Sequence, residues 1–225
     1  MKIVALSDLH GILPDLEECD LVLLGGDLVP LKYQNIKEST ELWFREDFKD
    51  WANKLPCNKV IFIAGNHEIK FEYHEQYYKK LFPTNNKITF LNHEYYEYEG
   101  LKIFGSPYCK MFGRFWAYMK TYRELVSLYK DIPSNLDVLL THDAPFNCTD
   151  ICLGTDTLDC LGSVALREAI LEKQPRYALH GHLHSSDHHF ENLGNTKVIN
   201  TSFVGENYLP AYKPLVIEYD THSYD

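Results

Sequence analysis

At 225 residues, with 45% hydrophobic and 24% charged side chains, the chain is long enough to bury one large core and does not require a second domain. Its 22 basic and 32 acidic residues give a formal charge of -10 with no Lys/Arg-rich run, which argues against extended nucleic-acid binding. No stretch approaches the roughly 20 apolar residues of a membrane span, and the apolar start is too short for a signal-peptide core, so no membrane association and a cytoplasmic location are expected.

In chain order, Lys2 to Leu6, Leu21 to Leu24 and Val60 to Ala64 are near-continuous apolar runs of strand length, the pattern of strands covered on both faces. Between the second and third, Ser39 to Leu55 places Phe44, Phe48, Trp51, Ala52 and Leu55 at helical spacing, with Ser39 or Thr40 positioned to cap the start. Glu72 to Phe82 and Arg114 to Lys130 have helical composition and hold much of the chain's aromatic content. Their rings either pack helices onto the sheets or form a rim on which a base or aryl group stacks.

The second half repeats the rhythm. Leu101 to Phe104, Asp137 to Leu140, Tyr177 to His180, Lys197 to Asn200 and Leu215 to Tyr219 read as strands, with a helix at Ser163 to Lys173 that stops before Pro175. Asp143 to Gly162 is a long polar segment of the kind that carries function. Strands in both halves covered by helices imply a layered α/β domain, and without an internal repeat or linker residues 1–225 read as a single domain. The six cysteines read as free thiols in a reducing compartment, and Cys148, Cys152 and Cys160 lack the CxxC spacing of a structural zinc site.

Several of these runs end in a short polar motif: Asp8-Leu9-His10, Gly26-Asp27, Gly65-Asn66-His67-Glu68, Thr141-His142 and Gly181-His182-Leu183-His184. Carboxylate oxygen, amide oxygen and imidazole nitrogen delivered from several strand ends suit a pair of divalent cations. In extended geometry Asp8 and His10 point to the same side, away from Leu9, and His182 and His184 do likewise. Asp27 has two oxygens and can bridge two cations, whereas the neutral Asn66 oxygen adds coordination without further negative charge. His67 then stands beside the cations, where a protonated imidazole can act as general acid.

The ordered set DxH, GD, GNHE, TH and GHxH resembles the calcineurin-like metallophosphoesterase superfamily across positions 8 to 184, and looser similarity points to its branch of small single-domain phosphodiesterases. The resemblance implies a four-layer α/β/β/α sandwich of two packed mixed sheets flanked by helices. Carried over position by position, one metal takes Asp8, His10, Asp27 and His184, and the other takes Asp27, Asn66, His142 and His182. His67 matches the catalytic histidine that contacts the phosphate, and Asn66 joins it in substrate binding. The GD motif departs by continuing as Leu28-Val29-Pro30, without a further acidic residue.

The expected activity is phosphodiester hydrolysis by in-line attack of a metal-bridging hydroxide on a small anionic phosphoester. Phosphomonoester hydrolysis is the alternative, with Arg114, Lys110 or Lys120 available to meet a dianion; a nuclease or a non-catalytic metal-binding scaffold ranks lower. Mixed N/O ligands suit Mn2+, Fe2+/Fe3+, Zn2+ or Ni2+.

Overall fold

The computed structural model describes residues 1–113, 115–150, 161–185 and 188–220. In Lys2–Leu6 (β1) the pleat sends Ile3 and Ala5 to one face and Val4 and Leu6 to the other, and all four are buried. Cys19–Leu24 (β2) repeats this with Leu21 and Leu23 against Val22 and Leu24, and Cys57–Phe62 (β3) with Ile61 against Val60 and Phe62. A strand apolar on both faces needs a layer on each side.

The later strands are Ile88–Phe90 (β4), Glu94–Tyr98 (β5), Leu101–Ser106 (β6), Cys109–Lys110 (β7), Met119–Lys120 (β8), Val138–Thr141 (β9), Tyr177–His180 (β10), Phe190–Leu193 (β11), Thr196–Asn200 (β12) and Leu215–Glu218 (β13). One sheet has the order β13-β1-β2-β3-β4 and the other β11-β12-β10-β9-β6-β5, while β7 and β8 form a short parallel pair. The central strands run parallel; β13, β11 and β5 are antiparallel edges, so both sheets are mixed.

Ile3, Leu21, Leu23 and Ile61 of the first sheet meet Ile103, Leu140, Leu179 and Ile199 of the second in one buried cluster, which places the sheets face to face. The helices are Lys37–Trp43 (α1), Lys49–Lys54 (α2), Ile69–Tyr73 (α3), Glu75–Leu81 (α4), Tyr122–Leu128 (α5) and Val164–Lys173 (α6). Trp43, Phe71 and Tyr78 cover the outer face of the first sheet against Val22 and Phe62. Leu125, Leu166 and Ile170 cover the second against Leu139 and Val198. The fold is therefore the expected four-layer α/β/β/α sandwich.

Three expectations need correction. The helix predicted from Ser39 begins at Lys37 without a side-chain cap, and Thr40 Oγ1 instead donates to the Tyr33 carbonyl at 2.7 Å. Within it a π turn over Phe44–Phe48 separates α1 from α2. The strands β4, β5, β7, β8 and β11 were not anticipated, β8 falling inside the Arg114 to Lys130 stretch read as helical: β5 and β11 lie at sheet edges, where the half-exposed Glu94 and Glu191 and the exposed Glu97 replace the apolar run. The Glu72 to Phe82 segment is split at His74, while Tyr78 and Phe82 are buried and serve packing.

Cys19, Cys57, Cys109 and Cys148 are free, whereas Cys152 and Cys160 lie outside the described residues. Cys19 and Cys57 are register partners at the starts of β2 and β3. The neighbouring Cys19 thiol and Lys87 lower the Cys57 thiol to about 7 despite partial burial. Because the thiolate is the nucleophile, alkylation of Cys57 should rise through about pH 7, ahead of the other described thiols. Cys19→Ala removes the neighbouring thiol, and labelling of Cys57 at pH 7 should then slow by about tenfold; unchanged labelling, read by peptide mass mapping, would contradict this.

Candidate metal centre

The motif-bearing loops follow β1, β2, β3, β9 and β10 and meet at one end of the two sheets. Backbone hydrogen bonds align the first two: Asp8 N–H donates to Gly26 O at 2.9 Å, His10 N–H to Asp27 O at 3.0 Å and Gly11 N–H to Leu28 O at 2.8 Å. Asp8 (φ 55°), His10 (44°), Asp27 (53°) and His182 (70°) all adopt left-handed backbone. The extended geometry expected for DxH and GHxH is therefore wrong. Each position costs on the order of 1 kcal/mol, which Asp and His tolerate better than most residues and the surrounding bonds offset.

Glycines set how closely the loops approach. A Cβ at Gly65 would fall onto Asp27 Oδ1 and, at 2.7 Å, onto His142 Cε1, and one at Gly181 would fall onto the Ser7 and Asp8 side chains. Only glycine at these positions lets the GNHE and GHxH loops close on the carboxylates.

The side chains fall into two adjoining groups. In the first, His184 Nε2 lies 3.3 Å from both His10 Nε2 and Asp8 Oδ1. In the second, His142 Nε2 lies 3.0 Å from Asn66 Oδ1 and 3.2 Å from Asp27 Oδ2, with the His182 ring 5.1 Å from that of His142. Donor atoms of Asp8, His10 and His184, and of Asp27, His142 and His182, converge within 4.8 Å in each set.

The second group has a chemical signature. His142 Nδ1 is 2.8 Å from the Gly25 carbonyl, which can only accept, so Nδ1 carries the proton. In the neutral imidazole Nε2 is then a lone pair aimed at two oxygens, an arrangement that calls for a cation or an added proton. Without a metal a proton fills the role: burial opposes the charge, but the Asp27 carboxylate pulls His142 up to about 10. Burial alone would raise Asp8, yet its contact with His184 holds it far below the usual carboxylate range. His182, buried and facing His142, is pushed down to about 3, and burial lowers His10 to about 4, so both offer neutral nitrogen. Asp8, His10 and His182 are thus deprotonated donors, and His142 becomes one when a cation takes the place of its proton, a set that fits divalent cations.

His67 stands at the edge of both groups. Its backbone N–H donates to Asp27 Oδ1 at 2.8 Å, its Nε2 lies 3.7 Å from Asp27 Oδ2, and its Nδ1 bonds the Gln34 side-chain oxygen. The sequence motifs gave no role to Gln34 or Glu68. Glu68 is fully buried and accepts from the N–H groups of Gly65 (2.6 Å), Asp27 (2.9 Å), Leu28 (2.8 Å) and Val29 (2.8 Å), tying the GD and GNHE loops together. Burial and the nearby Asp27 push its carboxyl up to about 7.

A cavity of ≈ 430 Å³ opens over Asp27, Asn66, His67, His182 and His184, and Lys110, Glu206 and several apolar side chains complete its lining. Lys120 pairs instead with Glu72 at 3.3 Å, and Arg114 lies outside the described residues. His180 is a buried strand residue bonded to Thr149 at 2.7 Å, and Asp143 accepts from Lys110 N–H at 2.7 Å. Most of the Asp143 to Gly162 segment, residues 151–160, lies outside the described residues. Among the described residues no helix is long and apolar enough to cross a membrane.

A UPF0046 protein of Caenorhabditis elegans is 27% identical over 97% of this chain and 80% of its own length. Metallophosphoesterase domain-containing protein 1 of Homo sapiens is 27% identical over 77% of this chain, and the match spans 59% of that protein. The solved structure of TT1561 of Thermus thermophilus superposes with a TM-score of 0.59 at 16% identity, covering 91% of this chain and 89% of the other, a likeness of fold. The calcineurin-like phosphoesterase model matches residues 1–186, and with that match the chain belongs to the calcineurin-like phosphoesterase family.

Proposed function

We propose that residues 1–225 act as one domain that hydrolyses phosphodiesters with two divalent cations, one held by Asp8, His10, Asp27 and His184 and the other by Asp27, Asn66, His142 and His182. The observation that carries this reading is the convergence of His142 Nε2, a lone pair in the neutral ring, with Asn66 Oδ1 and Asp27 Oδ2, a place that a cation or an added proton must fill. When bound, the cations supply Lewis acidity toward the phosphoryl oxygens and acidify a coordinated water. Asn66 and His67 contact the substrate from the adjoining loop. Gln34 accepts from His67 Nδ1 and so orients the ring with Nε2 toward the reacting centre, where it delivers a proton to the leaving oxygen.

Lys110 is the only cationic side chain among the described residues lining the cavity, and Glu206 lines it too, so charge matching favours a monoanionic diester over a dianionic monoester. Lys110 also sustains the second reading, phosphomonoester hydrolysis, because it can meet the added charge. The test is metal reconstitution with Mn2+, Fe2+, Zn2+ and Ni2+, ion content measured on the same samples, and turnover of bis-p-nitrophenyl phosphate against p-nitrophenyl phosphate. Two ions per chain and faster diester turnover are expected; the reverse preference, lost in Lys110→Met, would establish the second reading.

If His67 donates the proton, His67→Asn slows a diester with an alkoxide leaving group by about 10²-fold or more and one with a p-nitrophenolate leaving group far less. Equal losses on the two esters would remove His67 from that role.

A further inference from the structure

The cavity has apolar walls that a phosphoryl group leaves uncovered. Phe112 packs 5.0 Å from the His182 ring and 6.3 Å from Trp116, yet is 48% exposed. Trp116 covers His67 at 4.6 Å, so the two rings run as a ledge from the His182 side of the site to His67. Tyr208, 38% exposed, meets the site from another side, 4.8 Å from His10 and 5.0 Å from His184. All three rings line the same cavity as Asp27, and its ≈ 430 Å³ lies in the range of pockets that hold drug-sized ligands.

Abundance of rings does not account for this. The chain buries Phe44, Phe48, Phe62, Phe71 and Phe90 completely, whereas Phe112 and Tyr208 are exposed and Trp116 is half-buried around a cluster of polar ligands. Clustered exposed apolar surface beside a polar site marks binding. Charge narrows the occupant: Lys110 and Glu206 in the lining offset one another and favour no second charged group, while a flat neutral ring finds the faces of Phe112, Trp116 and Tyr208.

We infer that Phe112, Trp116 and Tyr208 form a subsite for a flat, uncharged aromatic ester group, so that the preferred substrates are phosphodiesters carrying an aryl or heteroaryl substituent. The inference rests on the proposed function, because it takes the phosphoryl group to sit at the Asp27 cluster.

The test holds the leaving group constant. Phenyl p-nitrophenyl phosphate and methyl p-nitrophenyl phosphate release the same phenolate, so their ratio of kcat/KM reads the other substituent. In parallel, phenylphosphonate and methylphosphonate are titrated calorimetrically into the metal-reconstituted protein, a measurement independent of turnover. A phenyl preference of about tenfold is expected in both, reduced toward unity in Phe112→Ala and retained in Phe112→Tyr, because stacking on one ring supplies about that factor. Tyr208→Leu tests the other wall in the same way. Hydrolysis of both esters without a phenyl preference, or a preference that survives Phe112→Ala and Tyr208→Leu, overturns the subsite and leaves the hydrolase reading intact. Phenyl-selective binding without hydrolysis of either ester upholds the subsite and overturns the hydrolase reading.

Discussion

Asp27→Asn is expected to give a folded protein that binds fewer than two ions and hydrolyses phosphodiesters about a thousandfold more slowly, or worse. Asp27 is 1% exposed and belongs to two of the donor sets, those with His10 and His67 and with His142 and His182. It is the carboxylate that faces both proposed ion positions, so its charge is the one an isosteric amide removes from both. Loss of several kcal/mol of charge stabilisation in the transition state corresponds to about 10³-fold in rate. The fold should persist because the amide oxygen can still accept from His67 N–H, which now bonds Asp27 Oδ1 at 2.8 Å. Ion content, melting temperature and turnover on one preparation decide the matter. Two ions at an unchanged rate would remove Asp27 from the centre.

Glu68→Ala should be the more damaging substitution for stability. Its carboxylate accepts four buried backbone N–H groups, from Gly65, Asp27, Leu28 and Val29, and alanine leaves all four without that partner. Each buried unsatisfied donor costs about 1–3 kcal/mol, and because neighbouring effects do not add fully, a total near 4 kcal/mol is expected. For a chain of this length that lowers the melting temperature by roughly 10 °C. Activity should fall with it even at temperatures where the variant is folded, because the GD and GNHE loops lose their shared anchor and Asp27 loses its position. A variant melting within about 2 °C of the parent, or one folded and fully active, contradicts the anchoring role.

Much of the fold was legible from one-dimensional pattern. The runs in β1, β2, β9 and β10 are apolar at successive positions because both of their faces are buried, and such runs stand out without knowledge of their neighbours. The edge strands β5 and β11 are paired on one side and half exposed, so their residues answer to a partner strand and to solvent. Their sequence alone has little apolar signal.

The metal centre divides in the same way. The seven proposed ligands and His67 could be named as candidates because coordination chemistry restricts which side chains can serve, and each follows a strand whose end is marked by its pattern. Their geometry was not. Alternation in DxH implied an extended claw, whereas Asp8 and His10 take left-handed backbone because their N–H groups are bound to Gly26 and Asp27 carbonyls contributed by the next strand's loop. Glu68 was visible as part of a motif but had no assigned task, since its acceptor role exists only once Asp27 to Val29 lie over it, about 40 positions away in the chain.

By itself the sequence determined which elements could form, which donor atoms they end in and the class of chemistry those atoms permit, because burial pattern and ligand type are properties of residues. Only the tertiary structure decided that His142 Nε2 would face two oxygens, that Glu68 would tie two loops and that Phe112, Trp116 and Tyr208 would line one cavity. Those are properties of distances between segments remote in the chain, fixed by how two sheets pack and where their loops meet.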